Sequence, residues 1–120
     1  MLIAAALIEL ALPEAESIKA RRRVARSVKD RIRQRFNVSV AEVADQDERH
    51  SVCIGCVMVG VDPQHLRDGM EKVVRYVESL GVAEVVSDDV TVLRIDEVEE
   101  LDDADGDAAP AAWRADESAE

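Results

Sequence analysis

Aromatic residues are almost missing from this chain: Phe36, Tyr76 and Trp113 are the only three among 120 residues. Any core must therefore be aliphatic, built from Val, Ile, Leu and Ala. The strand-like segments carry no ring on which a base could stack, which argues against sequence-specific single-strand binding across a sheet. Cysteine is equally scarce, and Cys53 and Cys56 alone make no disulfide framework. The five glycines form no rich strand-to-helix loop. The phosphate cradle expected of an acylphosphatase-like hydrolase is therefore missing, and no arginine follows the first strand. Long hydrophobic runs are absent too. The opening MLIAAALIELAL contains Glu9 and lacks a basic leading region. It also falls short of the roughly 20 residues that span a bilayer. These absences predict a cytoplasmic protein with no membrane partner. They predict no catalytic residue, no cofactor and no metal.

The cysteine spacing adds nothing to that chemistry. Cys53 and Cys56 have CxxC spacing but lie within a strand pattern, where residues three apart face opposite ways. A redox pair needs a helix N-terminus to activate its thiol. A zinc site needs a second ligand pair, and neither His50 nor His65 has the spacing for it. Both cysteines read as packing residues.

The chain is instead rich in charge, unevenly placed. Its formal net charge is −11, with 26 acids against 15 bases. Eleven of the acids lie from Asp96 onward, opposed only by Arg114, so residues 1–95 are close to neutral. Nine of the bases fall between Ser17 and Phe36, in SIKARRRVARSVKDRIRQRF, against the single acid Asp30. At helical periodicity Ala20, Val24, Ala25, Val28, Ile32 and Phe36 share one side. Lys19, Arg22, Arg23, Arg26, Lys29 and Arg33 share the opposite arc. Arg21, Arg31 and Arg35 lie nearer the apolar side, where their stems are expected to run along the core edge. A solvated helix face normally interleaves acids with bases. This arc does not, and it reads as a nucleic-acid-binding surface.

The remaining segments order themselves as β-α-β-β-α-β. Residues 2–12 form an apolar strand ended by Pro13, and Ser17 is placed to cap the basic helix. Residues 37–43 and 51–61 read as strands joined by a polar hairpin connection. Asp62-Pro63 starts a second helix, with the aspartate as cap and proline at the first position. Leu66, Met70, Val73, Val77 and Leu80 form its apolar stripe, and Gly81 ends it. Gly69 within this helix has no explanation in the sequence. Val85-Val86 and residues 90–95 supply a last strand. Right-handed crossovers then favour an α+β, ferredoxin-like βαββαβ fold: a four-stranded antiparallel sheet with both helices on one face. Residues 1–95 form this domain, and residues 96–120 read as a disordered acidic tail. By charge alone, the tail is a candidate to fold back on the basic face.

The string SIKARRRVARSVKDRIRQRFNVSVAEVADQD, residues 17–47, resembles the YlxP-like family of small bacterial proteins, a domain of unknown function. The matching positions are Ser17, Lys19, Arg22, Val24, Lys29, Asp30, Arg31, Arg35, Phe36, Asn37, Val38, Ser39, Val40, Ala41, Glu42, Val43, Asp45, Gln46 and Asp47. A weaker likeness continues to about residue 95. The resemblance implies a ferredoxin-like fold and a gene neighbourhood shared with translation initiation and ribosome maturation factors. It brings no established activity. The chain departs from the family where Glu48, Arg49 and His50 replace a frequent aromatic, and in its acidic extension.

Two further features bear on partners. Glu42, Asp45, Asp47 and Glu48 cluster at one strand end, but no nucleophile or ligand set accompanies them, so turn and hairpin register explain them best. Glu42 stands out because it interrupts an apolar strand. The strands at residues 2–12 and 51–61 are apolar on both faces, while helices cover only one. A homodimer through the open sheet face is the expectation. Together these readings describe a non-enzymatic RNA- or ribosome-associated small protein linked to translation or ribosome maturation. Its partner would be structured RNA or the ribosome, held by Lys19, Arg22, Arg23, Arg26, Lys29 and Arg33. The alternative is a homodimeric small-ligand-binding or protein-interaction module.

Overall fold

The computed structural model describes residues 1–44 and 48–97. The elements in chain order are strand β1 (Leu2–Ala11), helix α1 (Ile18–Arg35), strands β2 (Ser39–Ala44) and β3 (Ser51–Gly60), helix α2 (Pro63–Ser79) and strand β4 (Glu84–Arg94). They form one antiparallel four-stranded sheet in the order β2-β3-β1-β4. Each βαβ half therefore places its two strands parallel, with a strand of the other half between them. This is the expected ferredoxin-like plan.

Local chemistry sets the element ends. Ser17 accepts a hydrogen bond from the Ala20 amide at 3.0 Å, and Asp62 accepts one from Gln64 at 3.0 Å. These side chains satisfy amides that the first helical turns leave open. Gly81 closes α2 with a φ of +68°, which a side chain would resist. Gly69 gains its explanation from packing. A Cβ there would stand 3.2 Å from Met58 Sδ, so its absence lets α2 sit close to β3.

One face of the sheet holds the core. Leu2, Ala4, Ala6, Ile8 and Leu10 of β1 are buried, and across the register they meet Cys56, Ile54 and Val52 of β3. Above them α1 contributes Ala25, Val28 and Ile32, and α2 contributes Leu66, Met70, Val73, Val74 and Val77. Helix α1 lies over the β2-β3 half of the sheet and α2 over the β1-β4 half.

The structure differs from the sequence reading along β4. The sequence predicts the last strand from Val85-Val86 and residues 90–95, and pairing runs also through Ser87, Asp88 and Asp89, with a register shift between Glu9 and Leu10. β4 is an edge strand whose polar side chains meet water, so they cost the ladder nothing. Past β4 a 3₁₀ turn over Ile95–Glu97 begins the acid-rich region. The rest of the expected acidic tail, and Asp45 and Asp47 of the expected acidic cluster, lie outside the described residues.

Candidate nucleic-acid interface

Helix α1 carries its basic residues in three different settings. The first is interior. Arg21 occupies the buried stripe of the helix with Ala25, Val28 and Ile32 and is 1% exposed. Its guanidinium pairs with the Glu42 carboxylate of β2. Its Nε donates to the Glu48 carbonyl at 2.8 Å and to the Ser51 carbonyl at 3.1 Å. The expectation that Arg21 runs along the core edge is thus corrected. It is fully inside, and one cation ties α1 to both strands of the β2-β3 hairpin. Glu42, the residue that breaks the apolar strand, is its counter-ion. A buried arginine is tolerable only with such a set of acceptors.

The second setting is the outer flank. Lys19, Arg22, Arg23 and Arg26 are exposed and Lys29 is half-buried. None of the five has an ion-pair or hydrogen-bond partner among the described residues. At 1.5 Å per residue they span about 15 Å of a rigid helix. Arg33 shares their arc but not their freedom. Its Nη1 lies 3.2 Å from Asp30 Oδ1, and its Nη2 donates to the Val40 carbonyl at 3.0 Å. That bond turns this flank of α1 toward the β2 edge. The six nominated cations therefore lie together on α1, with one of them already engaged.

The third setting is the opposite flank, toward α2. Arg35 Cζ stands 4.9 Å from the centre of the Tyr76 ring, and Phe36 meets that ring edge-on at 5.5 Å. The sequence reading missed this grouping. The only signal was that two of the three aromatics sit among basic residues, far apart along the chain.

The other nominated features resolve as packing. Cys53 and Cys56 face opposite sides of the sheet, as the alternation requires, and both are buried. Burial pushes the Cys56 thiol up to about 11, which suppresses the thiolate. No group of three or more His, Cys, Asp or Glu side chains is placed to hold a metal among the described residues. No helix among them is long and apolar enough to cross a membrane.

A ferredoxin-like βαββαβ domain with a cationic first helix is the class these coordinates define. The family described as "Protein of unknown function (DUF503)" matches residues 3–90, and the chain belongs to it. No curated protein matches. Among solved structures, the chain is similar to LFR1 1, a de novo designed protein with a ferredoxin fold, at 10% identity and a TM-score of 0.47 over 85% of this chain and 94% of that one. It is similar to a mutant of SnoaB, a cofactor-independent oxygenase from Streptomyces nogalater, at 7% identity and a TM-score of 0.46 over 82% and 98%. A third similarity is to the de novo designed protein Foldit4, at 14% identity and a TM-score of 0.43 over 78% and 96%.

Proposed function

We propose that the protein is a non-enzymatic RNA-binding module that grips structured RNA, as on a ribosome, through the outer flank of α1. The observation that carries this reading is the set of five cations, Lys19, Arg22, Arg23, Arg26 and Lys29, without a partner among the described residues, on one rigid element of an acidic protein. Fixed, clustered positive charge follows a phosphate backbone without reading bases. Within the matched family, the YlxP-like resemblance of residues 17–47 supports a role in translation or ribosome maturation.

The test is a salt titration with structured RNA. If about four phosphates are neutralised, log K falls with log salt at a slope of roughly −3. The triple variant Arg22→Glu, Arg23→Glu, Arg26→Glu should flatten that slope to near zero. Arg33 is left out because reversing it would also remove its bond to β2. A wild-type slope near zero, or an unchanged slope in the variant, removes the reading.

A second reading rests on the open sheet face. Leu7, Val57, Val59 and Leu93 point away from the helices and are 49%, 41%, 64% and 39% exposed. Four strands about 4.8 Å apart and about 34 Å long offer roughly 600 Å². A standard interface takes about 800 Å² per partner, so a second copy of this face suffices for a modest homodimer. Large side chains stand beside the small residues Ala5, Ala41 and Gly55, around a hollow of about 380 Å³. A two-fold contact needs such a protrusion and its receptacle on the same patch. Sedimentation at high micromolar concentration should show a dimer, and a monomer there dismisses it.

A further inference from the structure

The cleft between the C-terminal halves of α1 and α2 gathers chemistry that the outer flank of α1 lacks. A hollow of about 350 Å³ is lined by Arg35, Phe36, Lys72, Arg75, Tyr76 and Ser79. Three of the six are cations, two are aromatic, and none is an acid. Phe36 and Tyr76 are the only aromatics among the described residues, and they touch each other here.

Ordinary structural roles account for only part of this. Arg35 lies in the last turn of α1, where a cation offsets the helix dipole. Lys72 and Arg75 have no such duty, because the last turn of α2 contains no base. Lys72 has no charge partner among the described residues. Arg75 has one, Glu71 at 3.6 Å, but both side chains are exposed, and such a pair is weak enough for a phosphate to displace. Arg35 is exposed on α1 and already sits over the Tyr76 ring, so cation and ring present a ready surface to a planar π system.

We propose that this cleft binds one unpaired nucleotide, its phosphate on Lys72 and Arg75 and its base against the Arg35–Tyr76 pair. The inference deepens the RNA reading above and rests on it for the identity of the larger ligand. Arg31 and Arg35 lie on the α2-facing side of α1, and Lys19, Arg22, Arg23, Arg26 and Lys29 lie away from it. One helix diameter, about 10–12 Å, separates the two flanks. A single RNA would lay its duplex backbone along the outer flank and drop a looped-out nucleotide into the cleft. Stacking of an exposed base on an aromatic is the usual way a protein reads RNA that is not paired.

The sole tyrosine makes the test direct. Full-length protein labelled with 3-fluorotyrosine gives one ¹⁹F resonance, from Tyr76. It is titrated with a single-stranded oligoribonucleotide, a blunt duplex, a stem-loop, and free adenosine monophosphate. The single strand and the stem-loop should shift the resonance, and the blunt duplex should not. A shift with adenosine monophosphate as well marks the cleft as a site for free nucleotides. A shift only with the polymers confines it to RNA. Tyr76→Leu should weaken stem-loop binding about tenfold, the scale of one lost stacked base, and leave duplex affinity unchanged. Lys72→Glu with Arg75→Glu, both on exposed positions, should do the same without affecting the fold. A resonance that stays still with every single-stranded ligand, or cleft variants that bind the stem-loop like the parent, overturn the proposal. The two readings fail separately. Reversal on the outer flank that abolishes duplex binding, beside silent cleft variants, keeps the first and sinks the second. A nucleotide-driven shift in a protein that binds no duplex does the reverse.

Discussion

Arg21 and Arg22 are neighbours with the same side chain and opposite fates. The helical turn of 100° between them sends one into the core and the other into water. Arg21 is buried against Glu42 and two carbonyls, whereas Arg22 has no partner among the described residues. The inner arginine acts on the fold and the outer ones are available to a partner. Counting basic residues on α1 therefore overstates the ligand surface, because one cation belongs to the core and another is half committed. What separates the groups is the geometry of acceptors around each guanidinium.

The largest expected effect lies in breaking the inner pair. Arg21→Met leaves the largely covered Glu42 without its counter-ion, and Glu42→Leu leaves the buried guanidinium without its own. Either change should cost about 3–5 kcal/mol, most of the stability of a domain this size. The double variant Arg21→Met, Glu42→Leu should recover most of that loss, since replacing a whole buried pair with apolar groups is often neutral. Urea unfolding of the two single variants and the double variant measures the coupling. The outer triple reversal Arg22→Glu, Arg23→Glu, Arg26→Glu should shift stability by only about 0.5 kcal/mol while abolishing the salt dependence of RNA binding. Equal losses from inner and outer changes would erase the distinction between the two faces.

A second contrast sits on β3. Burial raises the Cys56 thiol from 9.0 to about 11 in the folded state. An unfolded chain ionises this thiol near the lower value, so the fold keeps its full contribution below pH 9. That contribution should fall as the pH rises toward about 11, because only the unfolded state then gains from losing the proton. Chemical denaturation between pH 8 and 11 should show this decline, reduced in Cys56→Val. At pH 8 a thiol reagent should modify Cys56 only as fast as the protein opens. Rapid labelling of the native protein would contradict the buried setting.

Much of this architecture was legible in the sequence. Ser17 and Asp62 cap their helices, Gly81 ends α2, and the succession of apolar strand segments and helical stripes carries the βαββαβ order. The inner pair was visible only as two unrelated oddities: an arginine near an apolar stripe and a glutamate inside an apolar strand. Joining them requires knowing that α1 lies across β2, a tertiary fact that no local pattern carries. The cleft was illegible for the same reason. Phe36 and Tyr76 belong to different halves of the fold, and only the packing of α1 beside α2 brings them together. The missing aromatics on the sheet argue only against stacking there, and they carry no information about rings placed between the helices.

Arg33 offers the finest test, because it stands between the two groups. Its guanidinium is half-exposed, with a 3.2 Å contact to Asp30 and a 3.0 Å bond to the Val40 carbonyl on the free edge of β2. Asp30 partly cancels its field, and Val40 fixes its direction. Arg33→Gln should therefore cost about 1 kcal/mol, the net worth of one hydrogen bond to a backbone acceptor. It should lower the salt slope of RNA binding by well under the value for one phosphate, whereas Arg22→Gln removes a full phosphate contact, a slope change of about 0.9 on a duplex, at almost no cost in stability. Adding Asp30→Asn to the parent separates the two duties. With its carboxylate partner neutralised, Arg33 keeps the Val40 bond and its charge is no longer offset, so RNA affinity should rise slightly while stability stays within about 0.5 kcal/mol. If Asp30→Asn leaves RNA affinity untouched, Arg33 belongs with Arg21 as a structural cation, and the interface narrows to Lys19, Arg22, Arg23, Arg26 and Lys29.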